Sequence, residues 1–189
     1  MARAGVTAER LTRAAAELAD EIGFDKVTVT VLARHFGVKE PSLYSHVRNV
    51  RELRLRVAEL ALTELADQVV AALAGQAGKD ALVAFATTYR DYARRHPGRY
   101  AAGQIPIDPQ SAAADAARRH SELIRAILRG YGLQDPDQTD AVRFLGGALH
   151  GYVSLEAAGG FGHHPRDAET SWRKTLDALD VALRNWPST

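Results

Sequence analysis

The sequence predicts an all-α protein, a small N-terminal helix-turn-helix head of three helices joined to a larger C-terminal helical bundle. Three observations predict it. Apolar residues recur at spacings of three and four from one end of the chain to the other, no stretch alternates apolar and polar residues as a half-buried strand would, and glycines and prolines fall where helices would end. The expected boundary puts the head at residues 1–49 and the bundle at 50–189.

The first helix runs from Thr7 to Ile22, with Leu11, Ala15, Leu18 and Ile22 at helical spacing. A second begins at Thr28 or Thr30 and presents Val31, Leu32 and Phe36; Gly37 follows, a residue able to take the left-handed conformation that closes a helix. The third spans Glu40 to His46 and opens with Pro41, whose missing N–H has no helical partner in a first turn anyway. Leu43 and Val47 point inward from it, leaving Lys39, Glu40, Ser42, Tyr44, Ser45 and His46 outside.

A long helix then starts at Val50 or Arg51, carries Leu53, Val57, Leu60 and Leu65, and ends near Gly75 to Gly78. The next starts near Lys79 and carries Leu82, Phe85, Tyr89 and Tyr92 or Ala93. His96-Pro97-Gly98 reads as its stop, followed by a loop with Tyr100, Ile105, Pro106 and Pro109. Alanine-rich Ser111–Gly130 favours helix, with Leu123, Ile127 and Leu128 on one side. Two helices, Gln138–Ala158 and Pro165–Trp186, flank Gly159-Gly160-Phe161-Gly162. In the last, Trp172, Leu176, Leu179, Leu183 and Trp186 recur at intervals of four, three, four and three, a seam that packs either internally or on a second copy.

Composition narrows the function. Hydrophobic residues are 46% and charged residues 25% of 189, enough to build a real core. The absence of cysteine excludes disulfides, thiolate metal sites and thiol nucleophiles. No apolar run reaches the ~18 residues of a membrane span, and the N-terminus has no basic-then-apolar leader pattern, so the expectation is a cytoplasmic protein with no membrane partner. The net charge of +1 is unevenly divided: residues 1–56 hold ten Lys or Arg against seven Asp or Glu, and the rest hold fourteen against sixteen. The basic excess lies with the helix-turn-helix, as suits a phosphate-facing end.

The run Gly37-Val38-Lys39-Glu40-Pro41-Ser42-Leu43-Tyr44-Ser45-His46-Val47 resembles the recognition-helix signature of the TetR family of bacterial transcription regulators, a Gly-Val turn leading into a Leu-Tyr-x-His helix. The likeness covers Thr7 to about Leu55. It departs at Val47, where many members have phenylalanine, and at Val50, where many have a phosphate-contacting lysine for which Arg48 or Arg51 would substitute. Chemistry divides the exposed groups. Tyr44, Thr28 or Thr30, His46, and Arg48 or Arg51 suit phosphate. Lys39, Glu40, Ser42 and Ser45 suit base edges, with Glu40 either accepting from cytosine or merely supporting the helix start.

A second likeness lies in Phe144 to Phe161, which resembles the penultimate helix of a TetR subgroup marked by a His-Gly pair, here His150-Gly151. It implies a homodimer in which the last two helices meet their copies in a four-helix interface, with Leu149, Tyr152, Trp172, Leu176, Leu179 and Leu183 as the expected contacts. Regulators of this kind match a protein two-fold axis to a symmetric operator.

Phe85, Tyr89, Tyr92, Tyr100, Ile105, Leu123, Ile127, Phe144 and His150 either line a cavity for a small effector between the middle helices or are plain core. His120 and His150 either lend that cavity polarity or are structural histidines. The pair His163-His164 lacks the spacing and carboxylate of a zinc site, so no metal and no cofactor are expected. No nucleophile–base pair or phosphate-cradling loop is present, and His150 and Glu156, six apart, fall on different faces of a helix. The reading is a non-enzymatic regulator: a repressor that binds a palindromic operator on double-stranded DNA as a homodimer and is released by a small, largely apolar effector. The alternatives are a constitutive DNA-binding and dimerisation protein or a small helical enzyme.

Overall fold

The computed structural model describes residues 6–163 and 165–187, so His164 lies outside the described residues. Among them are nine α-helices, one 3-10 turn and no strand. The chain divides into two compact units, residues 1–64 with 95–118, and residues 65–94 with 119–189. The expected boundary at 49/50 is not the boundary of packing. The first unit recruits a later segment, and the reason is local.

In the first unit, α1 (Ala8–Ile22) is capped by Thr7, whose Oγ1 accepts from the Arg10 amide at 3.2 Å. It buries Leu11, Ala14, Ala15, Ala16 and Ala19, whereas Leu18 and Ile22 are only partly buried. Alanines on the inner face let another backbone approach closely. That backbone is α6 (Pro97–Ala102). The stop at His96-Pro97-Gly98 does end a helix at Arg95, but Pro97 immediately occupies the first turn of a new one, where its missing N–H does no harm. Gly98 is buried there against the Ala19 peptide, so closely that an added Cβ would overlap the Ala19 carbonyl.

Polar contacts fix the same approach. Asp20 of α1 accepts from the Arg99 amide at 2.9 Å and meets His96 Nδ1 at 3.0 Å. Arg99 also reaches Glu64 at 3.1 Å, tying α6 to α4 (Val50–Leu73). Ala102 thereby joins the head's core with Leu11, Phe24, Val27, Leu32, Leu43, Val47, Leu53 and Val57, and the partly buried Ile105 packs against it. Ile105 therefore packs on the head, which corrects its expected place in an effector cavity.

The second unit contains most of α5 (Gly78–Arg95), α7 (Ala112–Arg129) from residue 119, α8 (Asp137–Ala157) and α9 (Ala168–Arg184). In α5 Leu82, Phe85, Tyr89, Tyr92 and Ala93 are buried, as the spacing predicts. On α7 the buried side is Ile124, Ile127 and Leu128, with Leu123 half-buried. The N-terminus of α9 is capped by Asp167, which accepts from the Thr170 amide at 2.9 Å, so the helix starts three residues after Pro165.

The seam on α9 is the principal correction. Trp172, Leu176, Leu179 and Leu183 are between 1% and 5% exposed in the single chain, and Leu149 of α8 is 2% exposed. They are core of their own unit and offer nothing to a second copy; a seam at helical spacing marks a buried face without saying whose surface buries it. Tyr152 alone of the six expected contacts is half-buried. The outward faces carry different residues: Phe144 (40% exposed) and Leu155 (56%) on α8, and Val181 (58%) on α9. Leu183→Glu is expected to abolish the cooperative unfolding transition by burying an unpaired charge, whereas Val181→Glu should leave a folded protein; circular dichroism melts separate the two outcomes.

Candidate nucleic-acid interface

The reading unit is built by α2 (Val29–Phe36) and α3 (Glu40–Leu43). Thr28 caps α2, its Oγ1 accepting from the Val31 amide at 3.2 Å, so its O–H proton stays available to a phosphate oxygen. Val29, Leu32 and Ala33 form the buried side in place of the expected Val31, which is half-buried. Gly37 closes the helix at φ 65° and ψ 36°, and the Val38 amide reaches back to the Ala33 carbonyl at 3.0 Å, the paired closure that a left-handed residue permits.

The third helix is shorter than expected. It ends at Leu43, although the Val47 amide still reaches the Leu43 carbonyl at 3.2 Å. Two serines account for this: Ser42 Oγ donates to the Lys39 carbonyl at 2.5 Å and Ser45 Oγ to the Ser42 carbonyl at 2.8 Å, side-chain bonds that compete with the helical ladder. Both hydroxyl protons are thus turned to the backbone, which leaves the oxygens to act toward bases as acceptors. Leu43 and Val47 anchor the segment, 1% and 2% exposed.

Thr28, Thr30, Lys39, Ser42, Tyr44, Ser45, Arg48 and Arg51 are exposed, while Glu40 and His46 are half-buried. Tyr44 is 48% exposed, unusual for a large ring beside a packed core. One device escaped the sequence reading. Asn49 Oδ1 accepts from the Glu52 amide at 2.9 Å, capping α4, and Glu52 accepts from the Arg48 amide at 2.6 Å and from Arg56 at 2.7 Å. The Arg48 amide, foremost, and Arg56 hold the Glu52 carboxyl below its ordinary range. Arg48 is therefore seated by its backbone while its side chain is 88% exposed. The Asn-x-x-Glu spacing of a capping box was the available signal.

The expected effector residues do not converge on one site. Tyr100 belongs with Ile105 to the first unit. Phe144 lies on the outer side of α8 against Trp186, ring centroids 5.7 Å apart, and His150 is exposed beside Ser154. Ile127 lines a groove of about 300 Å³ with Leu73, Ala81 and Ala126. Phe85 and Tyr89 do come together, with centroids 6.3 Å apart, and His120 completes a trio at 5.4 and 6.1 Å. Burial pushes the His120 imidazole down to about 4, so it is neutral at physiological pH. Tyr92 is buried.

A capped helix, a left-handed glycine turn and a short second helix with its polar groups outward, all seated on a small helical head, define a helix-turn-helix DNA-binding regulator. Residues 11–57 match the model of "Bacterial regulatory proteins, tetR family" and residues 82–179 that of "Tetracyclin repressor-like, C-terminal domain". The chain belongs to the TetR family. It is 35% identical over 160 residues to the uncharacterised HTH-type transcriptional regulator Rv0681 of Mycobacterium tuberculosis, covering 82% of this chain and 72% of that one. Its fold is similar to a protein of unknown function from Rhodococcus sp. RHA1, with TM-score 0.75, 18% identity, and 98% and 97% of the two chains covered. It is likewise similar to the Streptomyces coelicolor TetR family protein ActR in complex with (S)-DNPA, with TM-score 0.66, 19% identity, and 96% and 98% covered. Among the described residues no helix is long and apolar enough to cross a membrane.

Proposed function

We propose that this regulator is a cytoplasmic, non-enzymatic repressor that binds a palindromic operator as a homodimer and lets go when a small, largely apolar effector occupies its helical body. The observation that carries the DNA half is the exposed set Lys39, Ser42, Tyr44, Ser45 and Arg48 on a rigidly capped turn. Tyr44, Arg48 and the Thr28 hydroxyl hold phosphate and set the register; Lys39 and the two serine oxygens read base edges. The outward faces of α8 and α9, with Phe144, Leu155 and Val181, supply the surface for the second copy. Open space around Gly147 and Gly151, where an added Cβ would meet nothing within 4 Å, lets two such helices approach closely. The His150-Gly151 pair on that helix supports membership of the His-Gly subgroup. Release requires the effector to bind the DNA-incompetent arrangement more tightly than the competent one.

Selection from random DNA with the purified chain, followed by affinity for the winning site across a salt series, tests the reading. A symmetric site bound more tightly than scrambled DNA is expected. Tyr44→Phe should weaken selected and scrambled DNA alike by roughly tenfold, about 1.4 kcal/mol for one lost phosphate bond, and Lys39→Ala should change the preferred base. Enrichment of no sequence would overturn the proposal.

A further inference from the structure

Lys39, Ser42 and Ser45 stand three residues apart and are all exposed, so they form one row on the reading turn. Both serines bond along this row. Ser42 Oγ lies 2.5 Å from the Lys39 carbonyl oxygen, and Ser45 Oγ lies 2.8 Å from that of Ser42. A carbonyl oxygen has no proton to give, so each hydroxyl donates its own. Thr28 is in the opposite state, its Oγ1 accepting from the Val31 amide at 3.2 Å with its proton free. The same chemical group is thus set as an acceptor in the reading row and as a donor at the start of α2.

This commitment narrows what the row recognises. An unconstrained serine hydroxyl suits any base edge, because it donates or accepts as required. Here, donating to a base means giving up a bond already made to the backbone, an exchange of like for like that gains nothing. Accepting from a base adds a bond and breaks none, and a hydroxyl that is already donating is the stronger acceptor. In the major groove the donors are the exocyclic amines, N6 of adenine and N4 of cytosine. On a given strand the two amines hold the same place in the edge pattern, where guanine and thymine put a keto oxygen.

We infer that Ser42 and Ser45 are amino-base readers, each selecting adenine or cytosine over guanine or thymine on the strand it contacts. This inference rests on the proposed operator binding and names the base chemistry of that operator. Lys39 takes the complementary role. Its ammonium only donates, so it selects a keto base, guanine above thymine because guanine offers O6 and N7 together. The row therefore reads one keto base and two amino bases in each half-site.

The test is selection from random DNA with the full-length wild type, Ser42→Ala and Ser45→Ala, followed by affinities for the wild-type site with single amines deleted, purine replacing adenine and 2-pyrimidinone replacing cytosine. Each variant should lose its preference at one position per half-site, and the base the wild type selects there should be adenine or cytosine. Deleting that amine in one half-site should weaken wild-type binding about fivefold, the value of one hydrogen bond, while the matching serine variant binds the parent and amine-free duplexes alike. If a variant fails to fold, the amine deletions, taken one at a time along the half-site with wild-type protein, still decide: at least two positions should show the loss. Guanine or thymine at the positions the serines control, unchanged selection in both variants, or wild-type indifference to every deletion would overturn the inference while leaving a symmetric operator in place. Enrichment of no sequence by the wild type would overturn the proposed function and this inference with it.

Discussion

Gly98→Ala should cost the folded state about 3 kcal/mol and lower the melting temperature by roughly 10 °C or more. The methyl would overlap the Ala19 peptide and crowd the Asp20 amide, both backbone, so neither a rotamer change nor a small side-chain shift relieves it. Relief requires α6 to lift off α1. The Asp20 contacts to the Arg99 amide at 2.9 Å and to His96 at 3.0 Å would be lost with it. Since α1 packs in the same core as α2 and α3, operator affinity should fall as well. Gly103→Ala is the control. It lies one residue past the same helix with right-handed backbone, and its Cβ would meet only Leu62 and the Tyr100 carbonyl at 3.5 Å, an ordinary contact. Calorimetric melts of both variants decide the matter; a Gly98→Ala protein as stable as the wild type would mean that α6 does not pack on α1 as described.

Arg90→Leu is expected to destabilise the second unit by about 3 kcal/mol or more, the usual cost of removing one partner from a buried ion pair. The Arg90 side chain is 4% exposed. Its Nε and Nη2 donate to the two oxygens of Glu156 at 2.9 and 2.5 Å, a bidentate fork, and Nη1 donates to Glu169 at 2.7 Å. Its flat guanidinium also covers the Trp172 ring. Lysine cannot reproduce the fork, so Arg90→Lys should recover only part of the loss.

The pH dependence of Arg90→Leu follows with a definite sign. The bonds from Arg90 hold the Glu156 carboxyl below its ordinary value, burial working in the opposite direction. A carboxylate whose folded value is depressed contributes stability above its unfolded value, and that stability is lost as pH falls toward the folded one. Wild-type protein should therefore weaken on acidification through the carboxylate range. Arg90→Leu should weaken less over the same range, because the unpaired Glu156 then gains by taking a proton. Urea denaturation at neutral pH and at about pH 4 gives both numbers; parallel losses in the two proteins would show that Arg90 and Glu156 are not coupled.

The head was legible because its signals are local. Gly37 as the left-handed closure, Pro41 in a first turn and a threonine at the start of each of the first two helices act on backbone groups within four residues, so their meaning does not depend on the rest of the molecule; that Thr7 and Thr28 are the caps is what the structure adds. The exposure of Tyr44 and Lys39 follows from the inward pull of Leu43 and Val47. The α3 boundary was missed for an equally local reason, the two serine hydroxyls bonding to backbone carbonyls. The Asn49–Glu52 cap could have been read from its spacing.

The body was legible only as far as helix positions. Periodicity identified Trp172, Leu176, Leu179 and Leu183 as a buried face, and they are buried, but by their own unit. A pattern of apolar residues records that water is excluded and carries no label for what excludes it. The sequence by itself determined an all-helical chain, the order of every helix but α6, which it read as a loop, and the reading turn, since hydrophobic period and capping chemistry act within a few residues. Tertiary structure alone decided that Gly98 is a packing residue rather than a stop, that Arg90 finds Glu156 across 66 positions, and that His120 stands among rings. Each depends on residues far apart in sequence meeting at a few ångströms, which no local pattern encodes.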